Sequence, residues 1–137
     1  MESYEKLNTE DNNIEYDKYT ISNNSAASEI FDFLSENATS EFSKISYTDN
    51  GGTDKDIIAT AGLEDAEPGL TNELNKMFDN NTFIYDITHN HPSPQKQPSS
   101  EDIKFKQLFL QKYQQNNYPK FYLLHSQKGV PKTWLEF

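Results

Sequence analysis

The spacing of apolar residues changes period several times along the chain, and each change predicts an element. In residues 25–37, Ile30 and Leu34 fall one turn apart, and Phe31 and Phe33 widen the stripe, which predicts a helix. Residues 41–47 and 56–61 read as strands around Asp49-Asn50-Gly51-Gly52, whose need for positive φ predicts a β-hairpin. Pro68 opens a second helix in which Leu70, Leu74, Met77 and Phe78 recur at i, i+4, i+7 and i+8, and all four are expected in the core. The β-branched and aromatic run at 82–88 predicts a strand. Pro92, Pro94 and Pro98 then forbid regular structure until a third helix at about 100–115, with Ser99 or Ser100 as its N-cap and the polar tract 111–117 as a fraying end. Residues 120–125 and 132–137 close the chain as two strands around Gly129, with Trp134 expected as a core anchor. The order α-β-β-α-β-α-β-β predicts one α+β or α/β domain over residues 26–137, a mixed sheet flanked by about three helices. Residues 1–25 are polar, with a short alternation only from Ile14 to Ile21, and are expected to be a linker or an edge segment.

The strand at 82–88 leads into candidate chemistry. Side chains two apart on a strand share a face, so Phe83, Tyr85, Ile87, His89 and His91 form one row, expected to face the core with the imidazoles where the row runs out. Two neutral imidazoles suit Zn²⁺, which in catalytic sites takes three protein ligands and leaves a fourth position for water. Asp102, in the first turn of the third helix, is the nearest third ligand. A second reading stands beside this one: Ser99-x-x-Asp102 fits a capping box, and a lone His-x-His pair is common without metal.

Composition narrows the partners. With 22 acidic and 12 basic residues the net charge is -10, which disfavours nucleic-acid binding because phosphate backbones are held mainly by Lys and Arg. There is no cysteine, hence no disulfide and no thiolate ligand, and the redox compartment stays open. No apolar run approaches the ~20 residues that cross a bilayer, and the N-terminus lacks a signal-peptide core, so a soluble protein without a membrane partner is expected.

His89-Asn90-His91-Pro92-Ser93 followed by Pro98-Ser99-Ser100-Glu101-Asp102 resembles the signature of the JAMM (MPN-domain, JAB-like) zinc metalloproteases, including the seven residues, 92–98, between His91 and Ser99. The wording is closest to the bacterial RadC-like branch, and the small size and polar context are similar to JAB-like domains of bacterial polymorphic toxins. The motif covers residues 89–102, and the element order extends the likeness over about 26–137. The resemblance implies that His89, His91 and Asp102 bind one Zn²⁺, and that Ser99 donates a hydrogen bond to the oxyanion formed on the attacked carbonyl. The family also uses an upstream glutamate as general base. Residue chemistry offers Glu29, Glu36, Glu41, Glu64, Glu67 and Glu73 without choosing among them; the family's placement, at the start of the strand after the first helix, matches Glu41.

The function so implied is a zinc-dependent peptidase or isopeptidase that hydrolyses an amide bond with metal-activated water. It would be the effector domain of a polymorphic toxin, cytoplasmic or secreted within a larger protein. A protein or peptide substrate and an immunity protein are the implied partners. Two alternatives are a non-catalytic JAMM-fold interaction module, against which the complete ligand set argues, and RadC-like DNA processing, against which the acidic balance argues. With that set complete, His125 is expected to be structural. The segments 62–68 and 92–98 are short, leaving little room for the insertions with which eukaryotic deubiquitinating relatives grip ubiquitin.

Overall fold

Seven strands and three helices form as β1 (Ser3–Asn8), β2 (Glu15–Ile21), α1 (Asn24–Asn37), β3 (Ser43–Thr48), β4 (Asp54–Thr60), α2 (Pro68–Asp79), β5 (Phe83–His91), α3 (Ser100–Lys112), β6 (Lys120–Gln127) and β7 (Val130–Glu136). The computed structural model describes residues 3–37, 39–63, 68–80, 82–92, 96–113, 119–127 and 129–137. Glu64, Glu67 and the 114–117 part of the polar tract lie outside the described residues.

The strands make one mixed sheet in the order β1-β2-β4-β3-β5-β6-β7. The β5–β6 pair is parallel and the other pairs are antiparallel. Three helices therefore serve as crossovers between parallel strands, α1 from β2 to β3, α2 from β4 to β5 and α3 from β5 to β6. Such crossovers are right-handed in nearly all proteins. Because β2 and β3 run opposite to β4, β5 and β6, one hand places α1 on one face and α2 with α3 on the other. The cores divide accordingly. Leu74 and Met77 of α2, with Phe109 and Tyr113 from α3 and its cap, pack on Ile45, Ile57, Ile84, Ile87 and Phe121. Ala27 and Phe31 of α1 pack on Ile21, Phe42, Ile58 and Leu124.

The β3–β4 turn forms as its sequence requires. Asp49 Oδ1 accepts hydrogen bonds from the N–H groups of Gly51 and Thr53 at 3.0 and 2.9 Å, and Gly52 takes φ +81°.

Several expectations are corrected. Of the linker and the edge segment expected at 1–25, the described residues form an edge strand, β1, and beyond that expectation β2 lies one strand in, with its Tyr16 and Ile21 buried in the cores. Cross-strand polar pairs hold this hairpin where apolar alternation is sparse, with Lys6 Nζ 3.0 Å from Asp17 and Tyr4 donating to the same carboxylate at 2.6 Å. Trp134 is 52% exposed, because β7 is the other edge strand, and is not a core anchor. Phe78 is 41% exposed, since α2 turns Glu73 inward along with Leu74 and Met77. In α1 the buried positions are Ala27, Phe31 and Ser35, so Ile30 and Leu34 flank the contact and Phe33 points outward. Helix α3 stops at Lys112, short of 115, where Tyr113 turns extended and buries its ring. The Tyr113 hydroxyl donates to the Thr82 carbonyl at 2.5 Å and accepts from Ile84 N–H at 2.9 Å.

Candidate metal centre

Strand β5 presents both histidines, but not along the row that simple alternation predicts. Its register with β3 shifts between Ser46 paired to Asp86 and Tyr47 paired to Ile84, leaving Tyr85 as the extra residue of a bulge. The bulge reverses the phase, so Ile84 and Ile87, three apart, both reach the core under α2 and α3, whereas Phe83 and Tyr85 are exposed. Beyond it alternation resumes, and Ile87, His89 and His91 share the α2/α3 face. The histidines lie within the strand, are buried, and occupy its C-terminal end, where ligand sites form in sheets with helical crossovers. The Phe137 ring stands nearly perpendicular to that of His89, with centroids 5.9 Å apart.

Helix α3 supplies the third group. Ser99 is its N-cap: Ser99 Oγ accepts from Asp102 N–H at 3.0 Å, and Asp102 Oδ2 accepts from Ser99 N–H at 2.8 Å, a complete capping box. The same Oδ2 lies 3.2 Å from Nε2 of His89 and 3.2 Å from Nε2 of His91. The two Nε2 atoms are themselves 3.2 Å apart. Capping and ligation are thus compatible, since the cap aims the carboxylate at the imidazoles. Burial works to raise the Asp102 carboxyl, but hydrogen bonding with His89 and His91, the electrostatic interaction with His89 and the Ser99 N–H outweigh it and hold it well below the usual carboxylate range. The positive end of the α3 dipole also favours a negative charge in this first turn.

The spacing fits a tetrahedral ion. Zinc bonds of about 2.0–2.1 Å to nitrogen and oxygen separate ligand atoms by about 3.3–3.4 Å in a tetrahedron, close to each side of this triangle. Among the described residues, His89, His91 and Asp102 are the group of metal-ligating side chains close enough together to hold one ion.

Glu41 comes beside this group by strand pairing. Ser43 pairs with His89 across β3 and β5, and the Asn90 N–H donates to the Phe42 carbonyl at 3.2 Å. Continuing that register sets Glu41, half-buried, opposite His91 and on the same face. Of the other described candidates, Glu29 and Glu36 are exposed on α1, and Glu73 is buried in ion pairs under α2. Sequence reasoning missed Asn90, and it named His125 as structural without its place beside the site. Asn90 is fully buried and hydrogen-bonded to the segment that carries Glu41. His125, also buried, is the register partner of His91 on β6, an adjacency that no local spacing encodes.

The family model for JAB-like toxin 1 matches residues 19–118, which include Glu41, His89, His91, Ser99 and Asp102. The chain belongs to the JAB-like toxin 1 family. No curated protein and no solved structure matches it. The matched stretch begins in β2 and ends before β6, so it spans the three crossover helices and every candidate residue of this JAB-like toxin domain. No helix among the described residues is long and apolar enough to cross a membrane.

Proposed function

We propose that the chain is a zinc-dependent peptidase or isopeptidase and acts as the effector domain of a bacterial toxin. The observation that carries this reading is the triangle of His89 Nε2, His91 Nε2 and Asp102 Oδ2, 3.2 Å on each side, at the end of a strand whose neighbour carries Glu41. A zinc ion held by these three groups supplies the Lewis acidity that makes water a nucleophile near neutral pH.

The chain's own residues do the rest. The Glu41 carboxylate takes one proton from the water as its oxygen attacks the substrate carbonyl, then passes that proton to the leaving amine as the C–N bond breaks. The products are a carboxylic acid and an amine. Ser99 Oγ accepts from Asp102 N–H, and a hydroxyl that accepts keeps a proton to donate, which it directs to the carbonyl oxygen as negative charge develops there. Asp102, held ionised, provides the single negative charge of the ligand set, so the ion remains electrophilic. An immunity protein of the producing cell is the partner that a toxin of this kind needs.

Glu41→Gln separates chemistry from metal binding. Zinc content should stay near one per chain while hydrolysis of a fluorogenic peptide library falls by about 10²–10⁴-fold. Unchanged turnover would take Glu41 out of the mechanism. In a bacterial host, expression of the wild type should arrest growth and the Glu41→Gln variant should not.

A further inference from the structure

The backbone N–H and carbonyl of Glu41 are both engaged. Its N–H donates to the Leu63 carbonyl at 2.7 Å, and its carbonyl accepts the Thr60 hydroxyl at 2.9 Å, which ties it to the end of β4. On the β5 side one side chain spans the residue. Asn90 Oδ1 accepts from the Phe42 N–H, and Asn90 Nδ2 donates to the Ser40 carbonyl at 3.3 Å. The main chain adds a third bond, from the Asn90 N–H to the Phe42 carbonyl at 3.2 Å.

Asn90 stands between His89 and His91 in the sequence, and strand alternation sends its side chain to the face opposite theirs. It makes no contact with the cluster, yet it holds the residue before Glu41 and the residue after it. A buried amide needs partners of some kind, and a purely structural asparagine would find them anywhere in the ladder. Here they bracket the proposed base.

We infer that Asn90 is a positioning residue for Glu41, fastening the base to the strand that carries two of the three candidate metal ligands. The inference rests on the role of Glu41 proposed above. Its physical content is that one side chain adds two bonds from β5 to a segment whose Glu41 backbone is already tied to Leu63 and Thr60, and so fixes the separation of base and ligand set. A displacement of about 1 Å in such a separation costs on the order of a hundredfold in rate.

The test compares Asn90→Ala, Glu41→Gln and the double variant, all zinc-loaded. In Asn90→Ala, the zinc dissociation constant from chelator competition should stay within about threefold, because the ligands are untouched. Exchange of the Phe42 amide hydrogen should accelerate by about tenfold or more as its acceptor is lost. On a fluorogenic peptide that the wild type cleaves, kcat should fall about ten- to a hundredfold with KM unchanged, and the same change in the Glu41→Gln background should lower the residual rate no further. Asn90→Asp keeps an acceptor for Phe42 N–H but cannot donate to Ser40, so it should show a smaller loss in a chain that still folds. Unchanged Phe42 exchange overturns the assignment, as does a rate loss of equal size when Glu41 is already changed. A wild type that cleaves no peptide would instead break the hydrolase reading, and amide exchange alone would then decide whether Asn90 clamps the segment.

Discussion

Two buried polar clusters lie on the α2/α3 face of the sheet, and they satisfy their charge in opposite ways. Beneath α2, the Glu73 carboxylate is matched by donors from the chain itself, with Lys18 Nζ at 2.8 Å, Lys76 Nζ at 3.1 Å and the Tyr16 hydroxyl. Asn72 extends the network by donating to the Tyr16 oxygen at 2.9 Å and accepting from Glu10 N–H at 3.0 Å. At the end of β5 the Asp102 carboxylate is met by imidazoles in place of lysines: two imidazole nitrogens and a carboxylate oxygen lie 3.2 Å from one another. Three such atoms 3.2 Å apart have the spacing of a candidate metal site. The contrast teaches that burial alone does not single out a candidate ligand: Glu73 is the more deeply buried of the two, yet its carboxylate is already matched by lysines and a hydroxyl of the chain.

The comparison is broken most sharply by removing the candidate metal ligands. The His89→Ala, His91→Ala double variant should hold no zinc by mass spectrometry, against about one per chain in the wild type. Because binding free energy at such a centre is folding free energy, chelator should lower the wild-type melting temperature and leave the variant unmoved. Identical melting of the wild type with and without chelator would place the two clusters in the same structural class.

Changing the other cluster should have the reverse signature. Glu73→Ala leaves Lys18 and the Tyr16 hydroxyl without their buried partner and should cost about 3 kcal/mol in urea unfolding, with zinc affinity unchanged. A comparable loss of zinc affinity would show that the clusters are coupled through the sheet.

The acid limb of stability refines this. Burial works to raise the Glu73 carboxyl, but hydrogen bonds from Lys18 and Tyr16 outweigh it, so the folded value lies below the ordinary one. A depressed folded pKa contributes stability that is fully present above the unfolded value of about 4.3 and is lost as pH falls through the folded one. Glu73→Gln should therefore flatten the decline of melting temperature below about pH 4.3. An acid limb as steep as that of the wild type would assign the decline to other carboxylates.

The smallest expected effect is at the helix cap. Ser99→Ala removes the acceptor for Asp102 N–H and should cost about 1 kcal/mol of stability. It should also weaken zinc binding modestly, because the cap orients the carboxylate. Unaltered zinc affinity would mean that the imidazoles alone aim Asp102.

How much of this was legible varies by residue. The β3–β4 turn, the start of α2 at Pro68 and the N-cap at Ser99 were readable because each depends on a few adjacent side chains. The N-terminal hairpin was not, since its strands are held by pairs such as Lys6 with Asp17, eleven residues apart in sequence. The phase of β5 was misread because the bulge at Tyr85 arises from pairing with β3, which alternation within one strand cannot express. Side-chain type places Trp134 inside and the i, i+4, i+7, i+8 stripe places Phe78 there; their exposure follows from the sheet edge and from the inward turn of Glu73.

By itself, the sequence determined the candidate ligand types, their spacing in His89-x-His91 and Ser99-x-x-Asp102, and the order of crossover elements, since all of these are local chemistry or chain order. Only the tertiary structure decided that Nε2 of both histidines and Oδ2 of Asp102 meet at 3.2 Å, that the strand following Glu41 pairs with the one carrying the histidines, and that Asn90 bonds to Ser40 and Phe42 on either side of Glu41. The reason is physical: these relations are distances between different strands and a helix. Register, bulge and crossover hand set such distances, and no residue encodes them alone.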